Sequence, residues 1–210
     1  MSELLEHAKD AARRNAERLT EPDEGIMPVF LWLGPRGVGL MPIGPMLQDE
    51  ETKDMLALHM TAAMVVGRAT EAVMVTTAWT VKREMTDEEK AAYKRGTYGI
   101  VPPSKDPDRV EIIGLMRVSN EGDDMHQAEL IRHPDRPPDI GEWESIGAAK
   151  VGGRFGDAMH LGLDFVRDMP EAMTEIIEEG WENGEQEDLI QRFVKVTYGI
   201  TKGKWNAGNN

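Results

Sequence analysis

Two short apolar segments joined by a tight turn constrain the fold of this chain more than any other feature. Residues 27–33 and 38–43 are almost wholly apolar, and Gly34-Pro35-Arg36-Gly37 between them has the composition of a turn. Apolar segments this short, with so close a connection, predict a β-hairpin. A sheet that begins with a hairpin is antiparallel there, and it needs another layer to cover its apolar face.

Further segments extend this sheet and supply helices. Residues 49–67 carry apolar side chains at three- and four-residue steps, which predicts a helix ending at Gly67. Strands are predicted at residues 72–81, 109–118 and 125–132, and a turn containing Gly, Asn and Asp joins the last two. We therefore predict an α+β fold of order α-β-β-α-β-β-β, mainly antiparallel, with a helix packed on one face and a C-terminal helical extension.

Prolines and later helices divide the chain. A proline-rich stretch at residues 133–141 predicts that the sheet ends there, and helical periodicity returns at residues 157–168, 170–179 and 185–198. The predicted organisation is an N-terminal helix (1–24), an α+β core domain (25–141), a linker (142–156), a helical extension (157–198) and a flexible tail (199–210). The charged residues 82–108 are predicted as one long loop.

Composition excludes several classes of protein. The chain has 24 Lys and Arg against 38 Asp and Glu, a net charge of −14, so it repels nucleic-acid phosphates and anionic membrane surfaces. It contains no cysteine, which excludes disulfides, thiolate metal ligands and a cysteine nucleophile. No segment has the apolar core of a signal peptide or the ~18 apolar residues of a membrane span. We therefore expect a cytoplasmic protein with no direct nucleic-acid or membrane partner.

One motif resembles a known group of proteins. Thr77-Ala78-Trp79 in a strand, followed by Pro103-Ser104-Lys105-Asp106-Pro107-Asp108-Arg109-Val110-Glu111 at the entry to the next strand, is similar to a pattern in uncharacterised proteins of bacteria and their phages. The resemblance covers residues 27–133 and implies no activity. Those proteins more often carry Glu before the Ala-Trp pair, where this chain has Thr77, so a role of that Glu does not transfer.

The same motif holds the candidate ligand-binding residues, which are Trp79, Asp108, Arg109 and Glu111. Side chains alternate along a strand, so Arg109 and Glu111 share one face of the sheet. A planar guanidinium beside a tryptophan is suited to clamping an anion or a carboxylate. An ion pair within the chain, at a strand entry fixed by prolines, explains the same residues without a ligand. Both interpretations stay open.

No cofactor or metal site is predicted. The glycine-rich turn at residues 34–39 lacks the Gly-Lys-Ser/Thr ending of a phosphate-binding loop, and an apolar strand rather than a helix follows it. Residues 151–156 precede a helix, but no strand leads into them. The five histidines have no metal-ligand spacing, and the Gly-x-Ser-x-Gly motif of hydrolases is absent.

The C-terminal helices carry apolar stripes whose members are the candidate partner-binding residues Met173, Ile177, Trp181, Leu189 and Phe193. Such stripes are buried either within the chain or against another subunit, and the sequence does not separate the two outcomes.

Three functions are compatible with the sequence. The leading hypothesis is a non-enzymatic interaction or scaffold protein of bacterial or phage origin, whose C-terminal helices mediate self-association or docking of a protein partner. A second is an acidic inhibitor that imitates nucleic acid, which requires one contiguous acidic face. A third is a small enzyme with a carboxylate–arginine site at Trp79, Arg109 and Glu111, which requires a concave pocket there.

Overall fold

The computed structural model describes residues 2–20, 25–81, 86–88, 91, 107–147 and 151–207, with Val81 and residues 199–207 described as backbone alone. In chain order the elements are α1 (Glu3–Ala16), β1 (Val29–Gly34), β2 (Gly37–Pro42), a 3-10 helix (Gly44–Leu47), α2 (Glu50–Val66), β3 (Glu71–Val81), β4 (Arg109–Ser119), β5 (Gly122–Ile131), β6 (Asp139–Ile140), β7 (Glu144–Gly147), α3 (Gly153–Arg167), α4 (Glu171–Glu182) and α5 (Gln186–Ala207).

The strands form one sheet in which every neighbouring pair is antiparallel. The order is β2-β1-β3-β4-β5-β6, and β7 also pairs with β5. Pro35 and Arg36 make the turn of the first hairpin, with Gly34 opposite Gly37. At the β4–β5 turn, Gly122 has a φ of 134°, a conformation that L side chains rarely adopt. Local turn chemistry therefore sets the register of both hairpins.

Helix α1 covers one face of the sheet, which we call the α1 face. Ser2 caps this helix by accepting a hydrogen bond from the backbone of Leu5. The apolar stripe of α1 packs on strand residues of matching parity, and the buried members of this core are Leu4, Leu5, Ala8, Ala12, Ala16, Leu19, Ile26, Val29, Leu31, Val73, Val75, Ile113, Leu115 and Leu130. Alternation along the strands leaves the other set of apolar side chains for the opposite face.

Helices α2 and α3 cover that opposite face, which we call the α2 face. Its core contains buried residues of β1, β3, β4, α2 and α3, namely Phe30, Ala72, Met74, Val118, Leu56, Met60, Ala63, Met64, Met159 and Leu163. The hydroxyl of Thr61 donates a hydrogen bond to the carbonyl of Ala158 across the two helices, at 3.0 Å. The segment predicted as a separate helical extension thus shares one continuous core with α2.

The two residues that follow α2, Gly67 and Arg68, shape the end of this helix. A Cβ at Gly67 would lie 2.1 Å from Nε1 of Trp32, so Gly67 permits the close approach of that ring. The left-handed residue of the cap is Arg68, with a φ of 49°, and the N–H groups of Arg68 and Ala69 bond to the carbonyls of Val65 and Met64. This conformation directs the Arg68 side chain toward α4.

The predicted α+β class, antiparallel sheet and C-terminal helical part are confirmed. The structure differs in three details. Helices cover both faces of the sheet, because α1 packs on the face that the prediction left bare. The stretch predicted to end the sheet contains β6, and the predicted linker contains β7, because both strands add to the backbone of β5. Helix α5 continues through Ala207, beyond the predicted end at residue 198.

Candidate functional site

Trp79 and Arg109 lie together on the α1 face. The register places Val81 opposite Arg109 and Trp79 opposite Glu111, so the three predicted residues are neighbours on one side of the sheet. The guanidinium carbon of Arg109 lies 4.7 Å from the centre of the Trp79 ring. Both side chains are exposed, and a cation over an exposed indole contributes ~0.5–1 kcal/mol. The predicted proximity of Trp79 and Arg109 is therefore found.

Glu111 is held by an arginine that the sequence analysis did not single out. Nε and Nη2 of Arg132 donate to the two carboxylate oxygens of Glu111, each at 2.9 Å. Such a bidentate pair is stronger and more directional than a single contact. Arg132 follows β5, which neighbours β4 in the sheet. Its contact with Glu111 depends on strand pairing and has no signal in the local sequence.

A cleft of about 340 Å³ adjoins Arg132 and is lined by Leu19 and Thr20, which follow α1, and by the segment after β5. Two nitrogens of Arg136 donate to Asp139 at 2.8 and 2.6 Å, and Nε2 of His133 lies 2.9 Å from the same carboxylate. Hydrogen bonds from Arg136 first and His133 second lower the pKa of Asp139 to about 2. The carboxylate is therefore ionised and bound within its own loop.

The chemistry of this region is that of paired charges. Glu111 has both oxygens engaged by Arg132, so it is poorly placed to accept a proton as a general base. Asp108 is exposed in the turn that precedes β4. Residues 82–85, 89–90 and 92–106, which include the Pro-Ser-Lys-Asp part of the motif and most of the predicted loop, lie outside the described residues. The described part gives little support to a carboxylate–arginine enzyme.

The candidate partner-binding residues of the C-terminal helices are mostly engaged within the chain. Ile177 is buried, and Nε1 of Trp181 donates to the carbonyl of Val66 at 2.8 Å. Phe193 meets Phe165 of α3 edge to face, with ring centres 5.8 Å apart. Met173 is half-buried, as is Leu189, whose side chain lies where a Cβ at Gly180 would sit. In this conformation the stripe faces the body of the protein.

Helix α4 is fixed to the body by a compact polar contact. Glu178 accepts hydrogen bonds from Arg36, in the β1–β2 turn, and from Arg68, in the cap of α2. These bonds lower the pKa of Glu178. The Arg36 guanidinium also lies 5.5 Å from the centre of the Trp181 ring. Trp181 bonds to the carbonyl of the last residue of α2, which has no partner within its own helix.

The outer side of α4 is an acidic surface. We use this name for seven exposed side chains on α4, the following turn and the first turn of α5: Glu171, Glu175, Glu179, Glu182, Glu185, Glu187 and Asp188. No Lys or Arg occurs between residues 168 and 191, and none of the seven forms an ion pair with another described residue. Ile176, 59% exposed, lies among them. Elsewhere, acids on α1 and α3 pair with bases one turn away.

Two polar clusters, one buried and one half-buried, also escaped the sequence analysis. Arg117 donates to Glu71 through Nε and to Asp124 through Nη1, each at 2.6 Å. On the other face, Asp123 accepts from the backbone of Val151 at 2.7 Å and lies 3.0 Å from Nε2 of His160. The available signal was strand parity, since Arg117 shares one face of β4 with the buried residues Ile113 and Leu115.

Among the described residues, no group of three or more His, Asp or Glu side chains is arranged to hold a metal ion. Within the same part of the chain, no helix combines the length and apolar character needed to cross a membrane. Comparison of the sequence and structure with protein-family models, curated proteins and solved structures found no match.

Proposed function

We propose that this chain is a non-enzymatic interaction protein that docks a basic segment of a partner protein on the acidic surface of α4 and α5. The observation that carries the proposal is a run of exposed acids on α4 and the start of α5 that contains no Lys or Arg and includes the exposed Ile176. Complementary charge steers a basic partner into contact, and an apolar residue within the charged area gives the contact a desolvated centre.

The attachment of α4 supports this role. Trp181 and Glu178 join α4 to the end of α2 and to the β1–β2 turn, so the carboxylates are presented on a fixed helix. A helix backbone that is already ordered adds no backbone-ordering cost to docking, so the entropy lost on binding is that of the side chains. The side chains that the sequence analysis assigned to docking thus hold α4 in place, and the neighbouring outward side chains make the contact.

Charge also favours one of the two forms of the leading hypothesis. A symmetric contact between two α4 helices would bring identical carboxylates together, in a chain whose net charge is already −14. Like charges placed opposite one another oppose association. The acidic surface therefore favours a basic partner over a second copy of this chain.

The test measures binding of a fluorescent amphipathic peptide with lysines on one face and leucines on the other. In the test variant, Glu175, Glu179 and Glu182 are each changed to Gln. We expect Kd to rise about tenfold, because three ion pairs of ~0.5 kcal/mol each are lost. Rising salt should weaken binding to the unmodified protein more steeply than to this variant.

A matched control changes the same number of exposed acids at scattered positions, namely Glu17, Glu51 and Glu121. This control has the same net charge as the test variant, so it separates a local surface from a general effect of charge. Equal losses of affinity in the two variants would contradict the proposal.

A second candidate is the nucleic-acid mimic, and the separation of acids from bases on α4 favours it. Its partner would use the same surface that it uses for DNA. The acidic protein and duplex DNA would then compete for a basic DNA-binding protein, and the Gln variant would lose that competition. Simultaneous binding of DNA and of this chain would remove this candidate while leaving the docking proposal intact.

A further inference from the structure

The segment that forms the first hairpin is depleted of charge. Residues 25–48 contain a single charged side chain, Arg36, in a chain of which 30% is charged. Arg36 is itself engaged with Glu178 and stacked on Trp181. Depletion of charge is the compositional signal that separates the centre of a protein interface from the rest of a surface.

Strand β2 of this hairpin is an edge of the sheet and carries exposed apolar side chains. Among the described residues β2 pairs with β1 alone. Val38 and Leu40 are both exposed, and the register with Leu33 and Leu31 places them on the α1 face. Unpaired backbone groups beside apolar side chains make an edge a template for another strand.

One hydrogen bond at the end of β2 shows which of its residues direct their N–H and C=O groups toward β1. The N–H of Ile43 donates to the carbonyl of Pro28 at 2.9 Å, so odd-numbered residues of this strand direct their backbone groups toward β1. The N–H and C=O groups of Val38 and Leu40 therefore point away from the sheet. These are the groups that a further strand would bind.

The opposite edge of the sheet is protected. There β6 has two residues and β7 four, prolines and the carboxylates of Asp139, Glu142 and Glu144 surround them, and β5 is irregular where β7 joins it. Short edge strands, prolines, charges and irregular pairing are the devices by which proteins block unwanted strand pairing. β2 has no charge and a proline only at its last position.

We infer that β2 is a pairing edge at which two copies of this chain join antiparallel into one continuous sheet. A register with Gly39 on the twofold axis sets Val38 of each copy opposite Leu40 of the other. Each such pair exchanges two backbone hydrogen bonds and places two apolar side chains in contact on one face. The contact is self-complementary, as a twofold interface requires.

The lack of charge on β2 favours an uncharged, apolar partner strand at this edge, such as β2 of a second copy, over a charged peptide. Two molecules of net charge −14 repel each other. Contact between two uncharged, apolar strands opposes that repulsion and adds no charge to it. A basic or acidic peptide would find no counter-charge on β2. This interface is separate from the acidic surface of α4, and its dependence on salt has the opposite sign.

The test is sedimentation equilibrium of the full chain from about 1 μM to about 500 μM, which brackets the affinity expected of a small interface. We expect the mass to rise from 23.4 kDa toward twice that value. Added salt should strengthen the dimer because it screens the repulsion of two acidic chains. A dimer that salt dissociates, or a monomer at all concentrations, would overturn the inference.

Leu40→Lys is the principal variant, and Ile146→Lys is its matched control. Both wild-type residues are 53% exposed and lie on edge strands, Leu40 on β2 and Ile146 on β7. We expect Leu40→Lys to raise the dimer Kd about tenfold or more, because each lysine would place a charge against Val38 of the other copy. Equal weakening by both variants would contradict the assignment to β2.

Hydrogen exchange gives a second readout that needs no variant. In a monomer the amides of Val38 and Leu40 face solvent, and those of Gly39 and Met41 are bonded to β1. Concentrating the protein should protect the amides of Val38 and Leu40 while leaving those of Gly39 and Met41 as they were. Protection that is independent of concentration would show that these amides are bonded within one chain, which refutes the inference.

Discussion

The buried cluster of Arg117 allows the stability of the sheet to be tested in quantitative terms. Arg117 and Glu71 are 8% and 9% exposed; Arg117 on β4 donates to Glu71 on the neighbouring β3, and Glu71 also accepts a hydrogen bond from the hydroxyl of Ser2, the N-cap of α1. Replacing Arg117 by Met leaves the carboxylate of Glu71 buried without its cation. Removing one partner of a buried pair costs ~3–5 kcal/mol. We expect the lower end, about 3 kcal/mol, because Asp124 on the other side of the guanidinium is 37% exposed and can turn to water.

The informative comparison is with the double variant Arg117→Met, Glu71→Leu. Two apolar residues of similar volume leave no buried charge, so this variant should recover to within ~1 kcal/mol of wild type. The measurement is urea unfolding followed by tryptophan fluorescence, with the slope of the transition unchanged among the variants. If the double variant is as unstable as the single one, the cost lies in lost packing of Arg117, and the argument from a stranded charge is refuted.

Two further predictions follow from close contacts and from titration. Gly67→Ala should destabilise the fold by ~1–3 kcal/mol in the same urea assay, since its Cβ would overlap Trp32, whereas Gly25→Ala, with no atom near its Cβ, should be neutral. The pKa of Glu50 is lowered from 4.5 to about 2, first by Lys53 and then by Arg154, so its stabilising contribution is full above its ordinary pKa and is lost as pH falls from 4.5 toward 2. Glu50→Gln should flatten the loss of stability across that acid range, and an unchanged profile would contradict the assignment.

Elements governed by local signals were predictable from the sequence. The first hairpin, helix α2 with its end at Gly67 and the β4–β5 hairpin lie close to their predicted bounds, because turn residues and apolar periodicity act over a few residues. Strands β6 and β7 are too short to have a period. They exist because β5 presents a free backbone edge to them, which is a property of the assembled sheet.

The candidate site shows the same difference between local signals and long-range contacts. Strand parity was enough to place Trp79, Arg109 and Glu111 on one face. The partner of Glu111 was not predictable, because Arg132 reaches it from a different strand. The sequence likewise did not show whether the C-terminal apolar stripe is buried within the chain or against a partner. The acceptor for Trp181 is a carbonyl at the end of α2, far away in the sequence.

Arg36 connects the two surfaces that we propose. It is the one charged residue of segment 25–48, and the turn directs it onto Glu178 and Trp181, where it holds α4. One contact therefore removes a charge from the pairing edge and anchors the helix that carries the acidic surface. Arg36→Gln should loosen α4 and weaken binding of the basic peptide, while dimerisation through the uncharged β2 should remain. Loss of both activities together would contradict the independence of the two surfaces, because Arg36→Gln leaves the backbone and the apolar side chains of β2 unchanged.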